Sequence, residues 1–263
     1  MTPADLLAHL DAGSLWPADA AATPDRNVAT AYQTALAVRA LRLARGEHPR
    51  GFKIGFTNRG IWDRYGVFAP IWGTVWNTSL QAAGTAVNLQ RTCQPRLEPE
   101  LVFAFKATPG PGCQLDGLFE VLDWVAPGFE IVQSHAAGWR FTAAQAIADG
   151  GLHARLMVGA RWPLARLARD AAELHTLLAA TGVGLSRNGQ IVERGVGAAV
   201  LDSPLLALLH FVHELQACPG APVIVAGDVV TTGTWTDAWP VQPGESWRAE
   251  FDALLSPLEI HFT

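Results

Sequence analysis

Glu98 and Glu100 stand one residue apart in the segment Arg96-Leu-Glu-Pro-Glu-Leu-Val-Phe-Ala-Phe105, and Glu130 stands in a second apolar segment, Pro127-Gly-Phe-Glu-Ile-Val132. In an extended strand, side chains two residues apart share a face and lie roughly 6.5–7 Å apart along the chain. Residues 101–105 carry no polar side chain, so this strand is expected to run into the core. Ionised carboxylates placed there cost on the order of several kcal/mol unless a cation neutralises them. A hard divalent ion bound through oxygen does so, and Mg²⁺ keeps waters that a chelating substrate can displace. The alternative is a solvated strand face that carries both glutamates.

The elements that must position these groups change character along the chain. Residues 3–11 and 27–46 read as helices, the second with Val28, Tyr32, Ala35, Leu36, Val38, Leu41 and Leu43 near helical spacing. From Gly51 onward, short apolar segments are separated by Gly, Pro, Asn and Asp. Strands are expected at 51–56, 71–76, 97–106, 128–133, 152–158, 182–187, 223–231, 246–252 and 257–263. Helical character is expected at 115–124, 141–148 and 203–217, the last opened by Ser203-Pro204 as N-cap and first turn. Arg187-Asn188-Gly189 predicts a hairpin turn, because Asn-Gly supplies the positive φ angles it requires. Strands and helices do not alternate regularly, so a doubly wound parallel sheet is disfavoured. The expected class is α+β, a mixed rolled sheet or barrel behind a helical N-terminal region. One domain over 1–263 is the simplest organisation, with residues 1–50 helical and residues 51–263 forming a β-rich catalytic core.

Composition narrows the classes of partner. The 263 residues are 49% hydrophobic and 16% charged, which is enough apolar material for a sizeable core. A net charge of −5 without a Lys/Arg run argues against nucleic acid or an anionic membrane surface. Cys93, Cys113 and Cys218 lack metal-ligand spacing and fit a reducing compartment. The N-terminus lacks the features of a signal peptide, and no uninterrupted apolar run approaches the roughly 18–20 residues of a membrane span. A cytoplasmic protein is expected. No phosphate loop, dinucleotide fingerprint or nucleophile elbow is present. His210 and His213 are three apart on a predicted helix without a third ligand nearby, and His135 follows Glu130 closely enough to be near its pocket. Trp62, Trp72 and Trp76 suggest either a bulky pocket wall or ordinary core packing.

Six segments taken in order carry a resemblance: Gly51-Phe-Lys-Ile-Gly-Phe-Thr57, Gly66-Val-Phe-Ala-Pro-Ile-Trp-Gly-Thr74, Arg96-Leu-Glu-Pro-Glu-Leu101, Glu130-Ile-Val-Gln-Ser134, Ala148-Asp149 and Gly227-Asp-Val-Val-Thr-Thr-Gly-Thr234. Together they resemble the 2-keto-4-pentenoate hydratase and 4-oxalocrotonate decarboxylase family of the fumarylacetoacetate hydrolase superfamily. The resemblance implies that Glu98, Glu100 and Glu130 hold Mg²⁺ or Mn²⁺. A glutamate as the third ligand is similar to the hydratase and decarboxylase branch. Lys53 matches a pocket lysine. Thr232-Gly233-Thr234 matches the turn that receives a substrate carboxylate, and Gln133 and Asp149 fall in segments that line the substrate site.

The same resemblance implies water addition to a 2-hydroxy-2,4-dienoate, giving a 4-hydroxy-2-oxo acid through a metal-bound enolate. The alternatives are a metal-dependent 2-oxo acid decarboxylase or C–C bond-cleaving enzyme, or a non-catalytic partner subunit. A homo-oligomer, or assembly with a related decarboxylase subunit, is implied. Two positions depart from the pattern. Thr78 stands where the hydratases usually carry Asp, and Gly150 stands where they usually carry Asn. Thr78 is retained as a catalytic candidate beside Lys53, although a hydroxyl cannot accept a proton near neutral pH as a carboxylate can. His9 and His48 give no convincing counterpart of the His/Glu lid pair of the family hydrolases.

Overall fold

Thr2 and Asp5 form a capping box ahead of α1 (Pro3–Ala12), and Gly13 closes that helix at φ 62°. The Asn27 side chain caps α2 (Val28–Ala44) by accepting from the Thr30 N–H. The computed structural model describes residues 1–18, 27–252 and 255–263. After α2 come β1 (Pro49–Gly55), the one-turn α3 (Trp62–Tyr65), β2 (Ile71–Trp76), β3 (Leu80–Ala82) and β4 (Arg96–Phe105). The middle of the chain forms α4 (Leu115–Val121), β5 (Leu122–Val132), α5 (Ala143–Ala148), β6 (His153–Val158), β7 (Trp162–Pro163) and α6 (Ala171–Ala180). The last third forms β8 (Gly182–Arg187), β9 (Gln190–Val196), α7 (Pro204–Ala217), β10 (Val229–Thr231), β11 (Trp239–Pro240), β12 (Ser246–Phe251) and β13 (Leu258–His261).

The larger sheet runs β2-β1-β10-β4-β5-β6-β3, with β11 paired to β4 and β7 to β5. It is mixed, because β1 and β10 are parallel and so are β3 and β6, while the other pairs are antiparallel. β2 lies at one edge and β3 at the other, yet only residues 77–79 separate them. So short a connection brings the two edges together, and the sheet is rolled without its ladder closing. A second, antiparallel sheet runs β13-β12-β8-β9. Its β8–β9 turn has Asn188 at φ 50° and Gly189 at φ 81°, as the Asn-Gly pair requires.

The core follows the apolar pattern. Leu101, Phe103 and Phe105 are buried in one cluster with Leu205, Ala207, Leu208, Phe211, Val212 and Leu215 of α7, while Val102 and Ala104 are buried in a second cluster with Ala126 and Leu156. Residues 197–217 are long enough, and apolar enough on average, to cross a membrane, although Asp202, His210, His213 and Glu214 interrupt the apolar run. The buried side chains of α7 are those of a core helix.

Three expectations about elements shift. Residues 122–124, expected as helix, extend β5 instead, because Leu122 pairs with Phe105 and Val125 with Phe103. Of the strand expected at 223–231, only Val229–Thr231 forms, since the Asp228 carboxylate accepts from the Val225 N–H and turns the chain. α6, which begins at the Asp170 cap, was not expected from the sequence.

Candidate active site

β4 and β5 are antiparallel neighbours, and their register sets Glu98 directly opposite Glu130 and Glu100 opposite Gly128. The strand period turns Glu98 and Glu100 to one face. Carboxylate oxygens of Glu98, Glu100 and Glu130 lie within 4.8 Å of one another, and Glu100 and Glu130 are fully buried. Gly128, opposite Glu100, has no room for a larger residue, since a Cβ there would meet Val102 Cγ2 at 2.6 Å.

Lys53 projects from β1 into the same interior. Its Nζ lies 3.2 Å from Glu130 Oε2 and donates to the Gly151 carbonyl at 2.8 Å. Burial works to lower the lysine pKa, but the charges of Glu130, Glu98 and Glu100 outweigh it and hold the pKa above the ordinary value. Desolvation, only partly offset by Lys53, pushes Glu98 up to about 7. Desolvation and the charges of Glu130 and Glu98 push Glu100 well above the carboxylate range.

One lysine therefore does not neutralise three carboxylates. Glu100 Oε2 accepts from the Gly233 N–H at 2.7 Å, but the buried Glu100 Oε1 has no hydrogen-bond partner among the described residues. An unpartnered carboxylate oxygen beside two more carboxylates is the donor set for a hard divalent cation, and the residues fit Mg²⁺ or Mn²⁺.

No spacing or motif in the chain marks the next partner. His153 Nδ1 lies 2.8 Å from Glu130 Oε1, and its Nε2 lies 2.8 Å from Ser79 Oγ. Burial lowers the His153 pKa, opposed by Glu130.

The remaining expected residues have these places. Thr232 is buried and donates to the Leu101 carbonyl at 3.2 Å. Gly233 adopts φ 90°, and a Cβ there would lie 1.9 Å from Thr57 Oγ1. Thr234 Oγ1 donates to the Thr236 carbonyl at 3.0 Å. Gln133 is buried, its Oε1 accepting from the Cys93 N–H at 3.0 Å. Asp149 pairs with His135, Oδ1 to Nδ1 at 2.6 Å, so His135 serves Asp149 and makes no contact with Glu130 among those described. Thr78 sits on the exposed turn after β2 and donates to Glu47 Oε2 at 2.8 Å. The structure thus joins Lys53, Glu98, Glu100, Glu130 and Gly233 in one contact network and leaves Thr78 in a second, with Glu47 and Arg42. His213 Nε2 contacts the Cys113 carbonyl at 2.8 Å.

The chain is 32% identical to the 2-hydroxyhexa-2,4-dienoate hydratase of Comamonas testosteroni, over 91% of this chain and 88% of that one. It is 31% identical to the 4-oxalocrotonate decarboxylase of Pseudomonas sp. strain CF600, over 89% and 85%. It belongs to the 2-keto-4-pentenoate hydratase and 4-oxalocrotonate decarboxylase family.

The structure of 4-oxalocrotonate decarboxylase from Pseudomonas putida G7, complexed with magnesium and adipate, superposes with a TM-score of 0.86 at 26% identity, covering 100% of this chain and 99% of that one. A fumarylpyruvate hydrolase from Pseudomonas aeruginosa shares the fold at a TM-score of 0.58 and 17% identity, over 81% and 89% of the chains. No family model matches the chain. For a member of this family, the departure at Gly150 has a local explanation. Gly150 adopts φ 66°, and a Cβ there would meet nothing within 4 Å. Asn is the non-glycine residue that tolerates this conformation best, so either residue serves.

Proposed function

We propose that the protein is a divalent-metal-dependent hydratase, a lyase that adds water to a 2-hydroxy-2,4-dienoate to give a 4-hydroxy-2-oxo acid. The observation that carries the reading is the three-carboxylate cluster with a buried lysine inside it, in a chain related to dienoate hydratases. Glu98, Glu100 and Glu130 hold Mg²⁺ or Mn²⁺, which when bound supplies fixed positive charge where negative charge develops on the 2-oxo oxygen.

The chain's own groups supply the rest. Lys53 is cationic, desolvated and held in place by Glu130 and the Gly151 carbonyl. It is our assignment for pairing with the substrate carboxylate and for moving the proton. Thr78 has its hydroxyl proton committed to Glu47, so the proton transfer rests on Lys53. Thr232-Gly233-Thr234 lies beside Glu100 and is assigned the substrate carboxylate, and Gln133 and Asp149 support the walls of that site. We further infer a cytoplasmic homo-oligomer acting on a small 2-oxo or 2-hydroxydienoic acid.

Decarboxylation of a related 2-oxo acid is the second reading, supported by the likeness to 4-oxalocrotonate decarboxylases. Both reactions pass charge to the same oxygen. The test follows the ultraviolet absorbance of 2-hydroxypenta-2,4-dienoate with Mg²⁺ and then with chelator. Metal-dependent decay to 4-hydroxy-2-oxopentanoate, abolished in folded Glu98→Ala, is the expected result. No decay, with CO₂ released from 4-oxalocrotonate, would replace the hydratase reading with the decarboxylase one.

A further inference from the structure

Each oxygen of Glu130 faces a different partner, His153 at Oε1 and Lys53 at Oε2, and the segment 150–153 touches both, supplying the histidine and holding the lysine. Gly150, Gly151 and Leu152 adopt φ 66°, 71° and 66° in succession. Left-handed conformations normally occur singly, and a leucine there is strained, so this loop is held by what it positions. Its Gly151 carbonyl accepts from Lys53 Nζ at 2.8 Å, and Lys53 faces Glu130 Oε2. The next residue, His153, faces Glu130 Oε1.

We infer that His153, with Ser79 behind it, is a positioning residue that sets how Glu130 presents itself to the divalent cation. The inference rests on the metal reading of the three carboxylates. An ionised carboxylate only accepts, so His153 must donate from Nδ1. In that neutral tautomer Nε2 is an acceptor, and the Ser79 hydroxyl at 2.8 Å donates to it. Ser79 is fixed in turn by the Trp76 backbone, accepting from its N–H at 3.0 Å and contacting its carbonyl at 3.2 Å. The chain Ser79–His153–Glu130 thus occupies Oε1, while Oε2, which faces Lys53 at 3.2 Å without a hydrogen-bond partner among the described residues, is the oxygen left for the cation. Groups that orient ligands in this way typically change metal affinity about 10–100-fold when lost.

The test measures binding of Mn²⁺ alone, by electron paramagnetic resonance of the free ion, with no substrate present. His153→Leu and His153→Gln both remove the N–H at the Nδ1 position. The glutamine variant keeps polarity and size should the leucine variant fail to fold. His153→Asn restores a donor at the Nδ1 position. Expected is a loss of affinity of about 10–100-fold in the first two and rescue toward the wild-type value in the third. Nitrogen-15 spectra of the wild type should show the Nδ1–H tautomer at His153. Wild-type affinity in a folded His153→Gln protein, failure of the asparagine rescue, or an Nε2–H tautomer would overturn the inference. A wild type that binds no Mn²⁺ would instead overturn the metal reading beneath it.

Discussion

Glu98 and Glu130 are direct cross-strand partners on β4 and β5. Like charges opposed in this way destabilise a sheet, and here Glu100 adds a third carboxylate against one lysine. The metal-free fold therefore carries an electrostatic cost at the centre of its main sheet.

Removing one charge should relieve that cost and abolish the site. Glu100→Gln is expected to melt higher than the wild type in chelator and to gain little from Mg²⁺. The wild type should gain about 2.7 kcal/mol at a hundredfold excess of Mg²⁺ over its dissociation constant. Thermal melts of both proteins with Mg²⁺ and with chelator check this.

The pH dependence follows from Glu98. Its folded pKa of about 7 lies above the ordinary 4.5, so between these values the folded chain holds a proton that the unfolded chain has lost. Stability of the metal-free protein should therefore fall as pH rises from about 4.5 to 7. Mg²⁺ affinity should rise over the same window, because the ion competes with that proton. Denaturant titrations in chelator and calorimetric Mg²⁺ titrations across the window test the two signs.

Lys53→Met should leave Glu130 Oε2 buried without its cation. Breaking a buried pair from one side costs about 3–5 kcal/mol, and turnover should disappear with it. Lys53→Arg should not restore turnover, since a planar guanidinium does not reproduce a single ammonium point. Urea unfolding with Mg²⁺ present, alongside the dienoate assay, separates the two losses.

The two glycines before His153 should respond differently. Gly150→Asn meets open space and should leave the melting temperature nearly unchanged. Gly151→Ala would set a Cβ 3.0 Å from Lys53 Cδ and 3.1 Å from the Gly73 nitrogen, at φ 71°. Its destabilisation should exceed about 1 kcal/mol, with turnover reduced through Lys53.

The sequence by itself determined the cluster of acids. A two-residue spacing within an apolar strand is enough to put Glu98 and Glu100 on one buried face, because the strand period is local. It also marked most elements, since capping residues, Asn-Gly turns and apolar periodicity act within a few positions. Tertiary structure alone decided which strand faced Glu98, and so brought Glu130 into register. It likewise decided that β5 begins at Leu122, where pairing with Phe105 overrides a helical pattern. His153 and Ser79 are 74 positions apart and meet only because the sheet rolls until β3 joins β6. Thr78, next to Ser79 in sequence, faces Glu47 instead. Such partners depend on long-range packing, and no local spacing in the chain announces them.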